Sequence, residues 1–154
     1  MRFHVRNRAN AERCNPIDVP HVIISINSSH SDLANVKQNE FTVAIRPWVF
    51  DDLDREPGPS YIEVYGEPEL FSREHAEEII SFVEKHVTNI KAVVVHCDAG
   101  YSRSPGVAAA LALIHNNDDR EFWDNSGRMY GSPRYDPNRF VYHTILNVWQ
   151  DKSR

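Results

Sequence analysis

The sequence predicts an α/β domain with a central, largely parallel sheet flanked by helices, and three features point there. Two apolar runs, His21–Asn27 (HVIISIN) and Ile90–Cys97 (IKAVVVHC), lack the alternation of a half-exposed strand and read as strands covered on both faces. Segments of helical periodicity alternate with the strands along the chain, the order that builds layered α/β folds. The 154 residues suit a single domain, 1–154, with enough chain to bury a real core.

The elements follow in order. Phe3–Val5 can form a short edge strand and Asn7–Arg13 (NRANAER) a short helix. His21–Asn27 is a buried strand, and the polar turn NSSHSD follows it. Phe41–Phe50 begins as a strand, but Pro47 has no N–H to donate and is expected to end regular pairing there. The acidic stretch Asp51–Ser60 reads as a loop, with turn residues Pro57, Gly58 and Pro59. Ser72–Val87 is the clearest helix: Ser72 caps it, its first turn is acidic, and Ala76, Ile79, Ile80, Phe82 and Val83 share one face. The Ile90–Cys97 strand follows. A helix is expected from Pro105 onward, since proline suits a first turn, and two more near Asp118–Asp124 and Pro137–Gln150. In such folds ligands bind at the carboxyl ends of the strands, where Cys97 lies.

Composition narrows the function. The net charge of −5 disfavours a nucleic-acid partner. The acidic Asp51–Glu78 segment and the basic start (Arg2, Arg6, Arg8, Arg13) read as solvated faces. No apolar run approaches the ~20 residues of a membrane span, and the N-terminus has no apolar signal core, so neither a membrane association nor a signal peptide is expected. Two cysteines, Cys14 and Cys97, are too few for a disulfide framework, which makes a reducing, cytoplasmic setting the expectation. The eight histidines show no metal-ligand spacing and no Walker-type loop is present, so no metal or cofactor is expected. Oligomeric state leaves no mark on the sequence.

Between the strongest strand and the helix after it lies Cys97-Asp98-Ala99-Gly100-Tyr101-Ser102-Arg103-Ser104. A short loop entering a helix aims several backbone N–H groups inward, a nest for an anion. Gly100 allows backbone angles that other residues resist. Arg103 can hold two phosphate oxygens with its planar fork. Cationic surroundings favour the thiolate of Cys97, and a thiolate facing a bound phosphate is a nucleophile aimed at phosphorus. Tyr101 would shape the cleft mouth, and the Asp98 side chain reads equally well as part of the site or as a solvated loop residue.

His-Cys-x-x-Gly-x-x-Arg-Ser after an apolar strand resembles the signature loop of the cysteine-based protein tyrosine phosphatases, most closely the compact dual-specificity type with its small bacterial and phage members. The order of elements matches from about His21 to Trp149. Cysteine-five-arginine spacing alone also occurs in rhodanese-like proteins and arsenate reductases; His96, Gly100 and Ser104 make the match specific. The low-molecular-weight phosphatases carry their loop near the N-terminus and fit poorly. The resemblance implies a phosphatase-like fold with the phosphate loop between strand and helix. It makes Cys97 the nucleophile that forms a phosphocysteine, and Arg103 the ligand of the phosphate and of its developing charge. It gives Ser104 a hydrogen bond to the thiolate and His96 an orienting role. The backbone of Asp98, Ala99, Gly100, Tyr101, Ser102 and Arg103 would cradle the phosphate, with no metal required.

The family also places an aspartate general acid on a separate loop before the cysteine. Phe-Asp-Asp-Leu at 50–53 is similar to the pattern of the compact relatives and puts the acid at Asp52, with Asp51 and Asp54 as alternatives. The 45 positions from Asp52 to Cys97 exceed the gap in many of these enzymes. Asp136, in YDPNR, stands in the wrong chain order for this role. The implied reaction is hydrolysis of phosphotyrosine, and of phosphoserine or phosphothreonine as further substrates, in a phosphorylated protein or peptide. RNA 5′-triphosphate ends, phosphoinositides and a non-catalytic phosphate-binding role are the alternatives.

Overall fold

A computed structural model describes residues 1–124 and 134–153. In chain order the elements are β1 (Arg2–Asn7), α1 (Arg8–Arg13), β2 (His21–Asn27), β3 (Thr42–Val49), α2 (Pro59–Tyr65), α3 (Arg73–His86), β4 (Ala92–Cys97), α4 (Arg103–Asn116), α5 (Arg120–Trp123) and α6 (Arg139–Lys152). The strands pair in parallel in the order β1-β4-β2-β3. Their carboxyl ends therefore lie along one edge of the sheet.

Both central strands are buried along their whole length, as their apolar sequences require. Val22, Ile24, Ile26, Val93, Val95 and Cys97 join the larger core with residues of α3, α4 and α6. Ile23, Ala92 and Val94 face the other way, onto Ile17, Val19 and Val36. Burying each such aliphatic side chain stabilises the fold by about 1.5–3 kcal/mol.

The helix at Arg73–His86 buries the five predicted residues Ala76, Ile79, Ile80, Phe82 and Val83. Its start is a capping box in which histidine replaces the usual glutamate or glutamine: His75 N–H donates to Ser72 Oγ at 3.2 Å, and Ser72 N–H donates to His75 Nδ1 at 3.0 Å. In contrast, α4 is apolar on every side and buried from Arg103 to Ala112, the pattern of a helix enclosed by other elements. It packs on β1, β4, α5 and α6. Gly106 permits the last contact, because a Cβ there would lie 2.9 Å from the Asn138 carbonyl oxygen.

Three expectations need correction. Pairing does not stop at Pro47, which sits opposite Ser25 and is followed by Trp48 and Val49 in register. As the outer strand, β3 needs only one side paired, so a proline nitrogen facing outward breaks no ladder bond. The stretch expected to be all loop after Asp51 also contains α2, with Pro59 at its first turn and Gly66 (φ 81°) ending it. None of the α2 residues is buried, so no core-facing stripe marks this seven-residue helix in the sequence. α4 starts at Arg103, ahead of the expected Pro105, which draws the arginine into the helix N-terminus.

Candidate active site

Each strand delivers a piece of the site at its carboxyl end. β4 ends on Cys97, β2 leads into Ser28 and Ser29, β3 into Phe50, Asp51 and Asp52, and the end of β1 supports the loop from behind. The support is backbone against backbone. Gly100 has φ +68°, and a Cβ there would lie 2.9 Å from the Asn7 nitrogen and 3.0 Å from the Arg6 carbonyl carbon. Glycine is required both for the left-handed angle and for the space.

The Cys97 thiol is 2% exposed and lies 3.0 Å from Ser104 Oγ, while Gly100 N–H donates to its sulfur at 3.2 Å. The N–H groups of Ala99, Tyr101 and Ser102 take no partner among the described residues. The loop runs into the N-terminus of the 14-residue α4, where the helix dipole adds positive potential. Unpaired amides, a helix start and a buried guanidinium in the loop that follows Cys97 are groups with the chemistry to receive a tetrahedral anion.

Arg103 is 6% exposed, and its Nη1 donates to the Phe50 carbonyl (2.8 Å) and to Ser28 Oγ (3.0 Å). Its Nη2 donates to Asp98 Oδ2 at 3.1 Å, and the same oxygen accepts from Ser28 Oγ at 2.6 Å. Partial burial would raise the Asp98 carboxyl, but the bonds from Ser28 and Arg103 outweigh it and hold the group below the usual carboxylate range. Asp98 is therefore an ionised partner of Arg103.

His96 is fully buried and bridges two strands. Its Nδ1 lies 3.2 Å from the Cys97 carbonyl, which can only accept, so Nδ1 carries the hydrogen. Burial lowers its pKa below the ordinary imidazole value. In the neutral ring Nε2 then accepts from Ser25 Oγ at 2.6 Å, and Asn27 Nδ2 donates to Ser25 Oγ at 3.3 Å. The chain Asn27–Ser25–His96 thus grips the backbone of the cysteine itself. A neutral, internally satisfied imidazole orients the loop and holds no proton in reserve.

The three candidate acids separate clearly. Asp52 Oδ1 accepts from Ser102 Oγ at 2.8 Å and from Asn138 Nδ2 at 2.9 Å, which places it against the phosphate loop. Asp51 is held in its own network, accepting from Ser29 N–H (3.0 Å), Ser29 Oγ (2.6 Å) and Glu69 N–H (2.9 Å). Burial opposes ionisation of Asp51, but these donors and nearby Arg103 pull its pKa below the usual value. Asp54 is exposed and paired with Arg55 at 3.0 Å. Asp136 is exposed too, 3.9 Å from Arg139, and its N–H donates to the Tyr101 carbonyl. Tyr101 itself is exposed at the loop surface.

Ser25, Asn27, Ser28, Ser29 and Asn138 escaped the sequence reading. Ser25 and Asn27 left a signal, being polar residues inside an otherwise apolar buried strand. Asn138 left none, because it reaches Asp52 from 86 positions away. On the Ser28 side a cleft of about 470 Å³ opens, lined among others by His30, Asp51, Tyr61, Tyr65 and Asp98. The Tyr61 and Tyr65 rings sit 4.8 Å apart in it. Among the described residues no group of three or more His, Cys, Asp or Glu is arranged to hold a metal ion.

No family model matches the chain, and no curated protein matches it in sequence. Solved structures do match in fold. Human DUSP28 superposes with a TM-score of 0.54 at 15% identity, covering 98% of this chain and 93% of that one. PTPMT1, solved in complex with PI(5)P, gives 0.56 at 16%, covering 99% and 92%. The human tyrosine phosphatase-like serine/threonine/tyrosine-interacting protein gives 0.53 at 14%, covering 99% and 93%. The fold is that of the cysteine-based protein tyrosine phosphatases in their compact, dual-specificity form.

Proposed function

We infer that this chain, on the compact dual-specificity phosphatase fold, is a phosphomonoesterase that removes phosphate from phosphotyrosine in proteins, with phosphoserine and phosphothreonine as further substrates. One observation carries the reading: Cys97 Sγ sits 3.0 Å from Ser104 Oγ and 3.2 Å from Gly100 N–H, in a loop that Arg103 closes and Asp52 touches through Ser102.

In the proposed first step the Cys97 thiolate attacks phosphorus and the ester P–O bond breaks. The departing oxygen takes the proton of Asp52, and Arg103 with the loop amides holds the three equatorial oxygens. In the second, water attacks the phosphocysteine as the Asp52 carboxylate accepts its proton. The S–P bond breaks, inorganic phosphate leaves, and the Ser104 hydroxyl stabilises the returning thiolate. His96 keeps the loop in register throughout.

The tyrosine-lined cleft beside Ser28 and Asp98 favours an aryl ester, since an aromatic ring can pack there next to two side chains that bond Arg103. A phosphoinositide reading has the fold likeness to PTPMT1 in its favour and the acidic Asp98 against it. The test is steady turnover of a phosphotyrosine peptide beside phosphoserine peptide, phosphoinositide and RNA 5′-triphosphate. Cys97→Ser should reduce every measurable turnover by on the order of 10⁴-fold or more while phosphate still binds. A serine variant with a tenth of wild-type activity would end the phosphocysteine mechanism, and a preference for the lipid would move the substrate class.

A further inference from the structure

The charge arrangement around Arg103 goes one step beyond the hydrolase reading and rests on it. The buried guanidinium already has an anion. Asp98 Oδ2 accepts from Arg103 Nη2 at 3.1 Å and from Ser28 Oγ at 2.6 Å, while Ser28 Oγ accepts from Arg103 Nη1 at 3.0 Å, closing a three-residue ring. The Arg103 side chain is 7% exposed and that of Asp98 43%, so the carboxylate lies on the solvent side of the pair, where a substrate must arrive. Arg103 does not need Asp98 to stay in place, because its Nη1 is also fixed to the Phe50 carbonyl at 2.8 Å.

We propose that Asp98 is a built-in counter-anion of Arg103 that sets the charge the site accepts: a single phosphomonoester is tolerated, and substrates with a second phosphate near the first are rejected. A phosphate held by Arg103 shares the guanidinium with a fixed negative charge. Two charges a few ångströms apart near a protein surface repel strongly enough to change binding severalfold, and each further charge on the ligand adds to the effect. The carboxylate also lines the tyrosine cleft, so a second phosphate reaching into it would meet Asp98 and Asp51. Asp98 is thus a specificity residue of the phosphate site, acting against polyanions.

The test is calorimetric titration of the wild type, Asp98→Asn and Asp98→Ser with inorganic phosphate and with pyrophosphate. Asparagine keeps the size and an acceptor for Ser28 while removing the charge; serine removes both and guards against a fault peculiar to the amide. Both variants should bind phosphate on the order of ten-fold more tightly, and pyrophosphate should gain more than phosphate. Turnover of a vicinal inositol bisphosphate should rise relative to phosphotyrosine. Weaker phosphate binding in both variants would make Asp98 a positioning residue for Arg103 and overturn the proposal. So would equal gains for the two ligands. A wild type that binds neither anion would instead remove the phosphatase reading on which the proposal stands.

Discussion

Replacing Asp52 by asparagine isolates proton donation from everything else that residue does. Its Oδ1 accepts from Ser102 Oγ at 2.8 Å and from Asn138 Nδ2 at 2.9 Å, and an amide oxygen can keep both bonds in the same volume. Oδ2 takes no partner among the described residues and is the oxygen that would carry the proton in the proposed mechanism. The melting temperature of Asp52→Asn should therefore stay near that of the wild type, because a conserved pair of bonds leaves a stability change of under about 1 kcal/mol. Catalysis should not. General acid transfer is worth roughly 10²–10⁴-fold, about 2.7–5.4 kcal/mol of barrier at 1.36 kcal/mol per factor of ten. That loss is due only when the leaving oxygen needs the proton. Across a series of aryl phosphates the deficit should be small for an electron-poor nitrophenolate and reach the full range for phosphotyrosine. The assay is kcat/KM for wild type, Asp51→Asn, Asp52→Asn and Asp54→Asn over that series, each with a melting curve. A uniform penalty at Asp52, or the graded one at Asp51, would refute the assignment.

Asp51→Asn should lower stability at neutral pH, because an amide has a single acceptor oxygen: if it receives Ser29 Oγ and Glu69 N–H as Oδ2 does, its NH2 group faces Ser29 N–H, which Oδ1 now accepts. The folded pKa of Asp51 is depressed, so its contribution is present above the unfolded value of about 3.9 and lost as pH falls through the folded one. The melting gap between wild type and variant should accordingly close in acid, and a gap constant from pH 7 to strongly acidic buffer would contradict the network. Arg103→Lys should reduce turnover on the order of 10²-fold or more, since one ammonium cannot serve the Phe50 carbonyl, Ser28 and a phosphate together; near-normal kinetics would take Arg103 off the phosphate. Gly100→Ala should destabilise by at least ~1–2 kcal/mol for the left-handed angle alone and weaken phosphate binding as the loop lifts off Asn7. Unchanged denaturation and phosphate titration curves would show that the loop does not need that contact.

The frame of the fold was legible in the chain. Continuous apolar runs at His21–Asn27 and in the stretch ending at Cys97 can be satisfied only between two covering layers, so a parallel sheet with helices could be read from them. The phosphate loop was legible because its chemistry is local: Cys97, Gly100, Arg103 and Ser104 lie within one strand-to-helix turn, and spacing alone brings them together. Helix α3 was equally open, its cap and apolar face both being short-range signals. What acts across the sheet was not. Whether Pro47 ends a strand depends on which strand lies at the edge, and strand order is a property of the assembled fold. Sequence resemblance favoured Asp52 and kept Asp51 and Asp54 as alternatives, and only tertiary placement gave Asp51 to Ser29, Asp52 to Ser102 and Asp54 to solvent. The role of Asp98 was decided the same way. A carboxylate next to a cysteine is ambiguous as text, and it became the partner of a buried arginine because β2 delivers Ser28 to bridge the two across 70 residues of chain. Hydrogen bonds and charges act over a few ångströms of space whatever the separation in sequence, so the loop could be read from the chain and its electrostatic setting only from the fold.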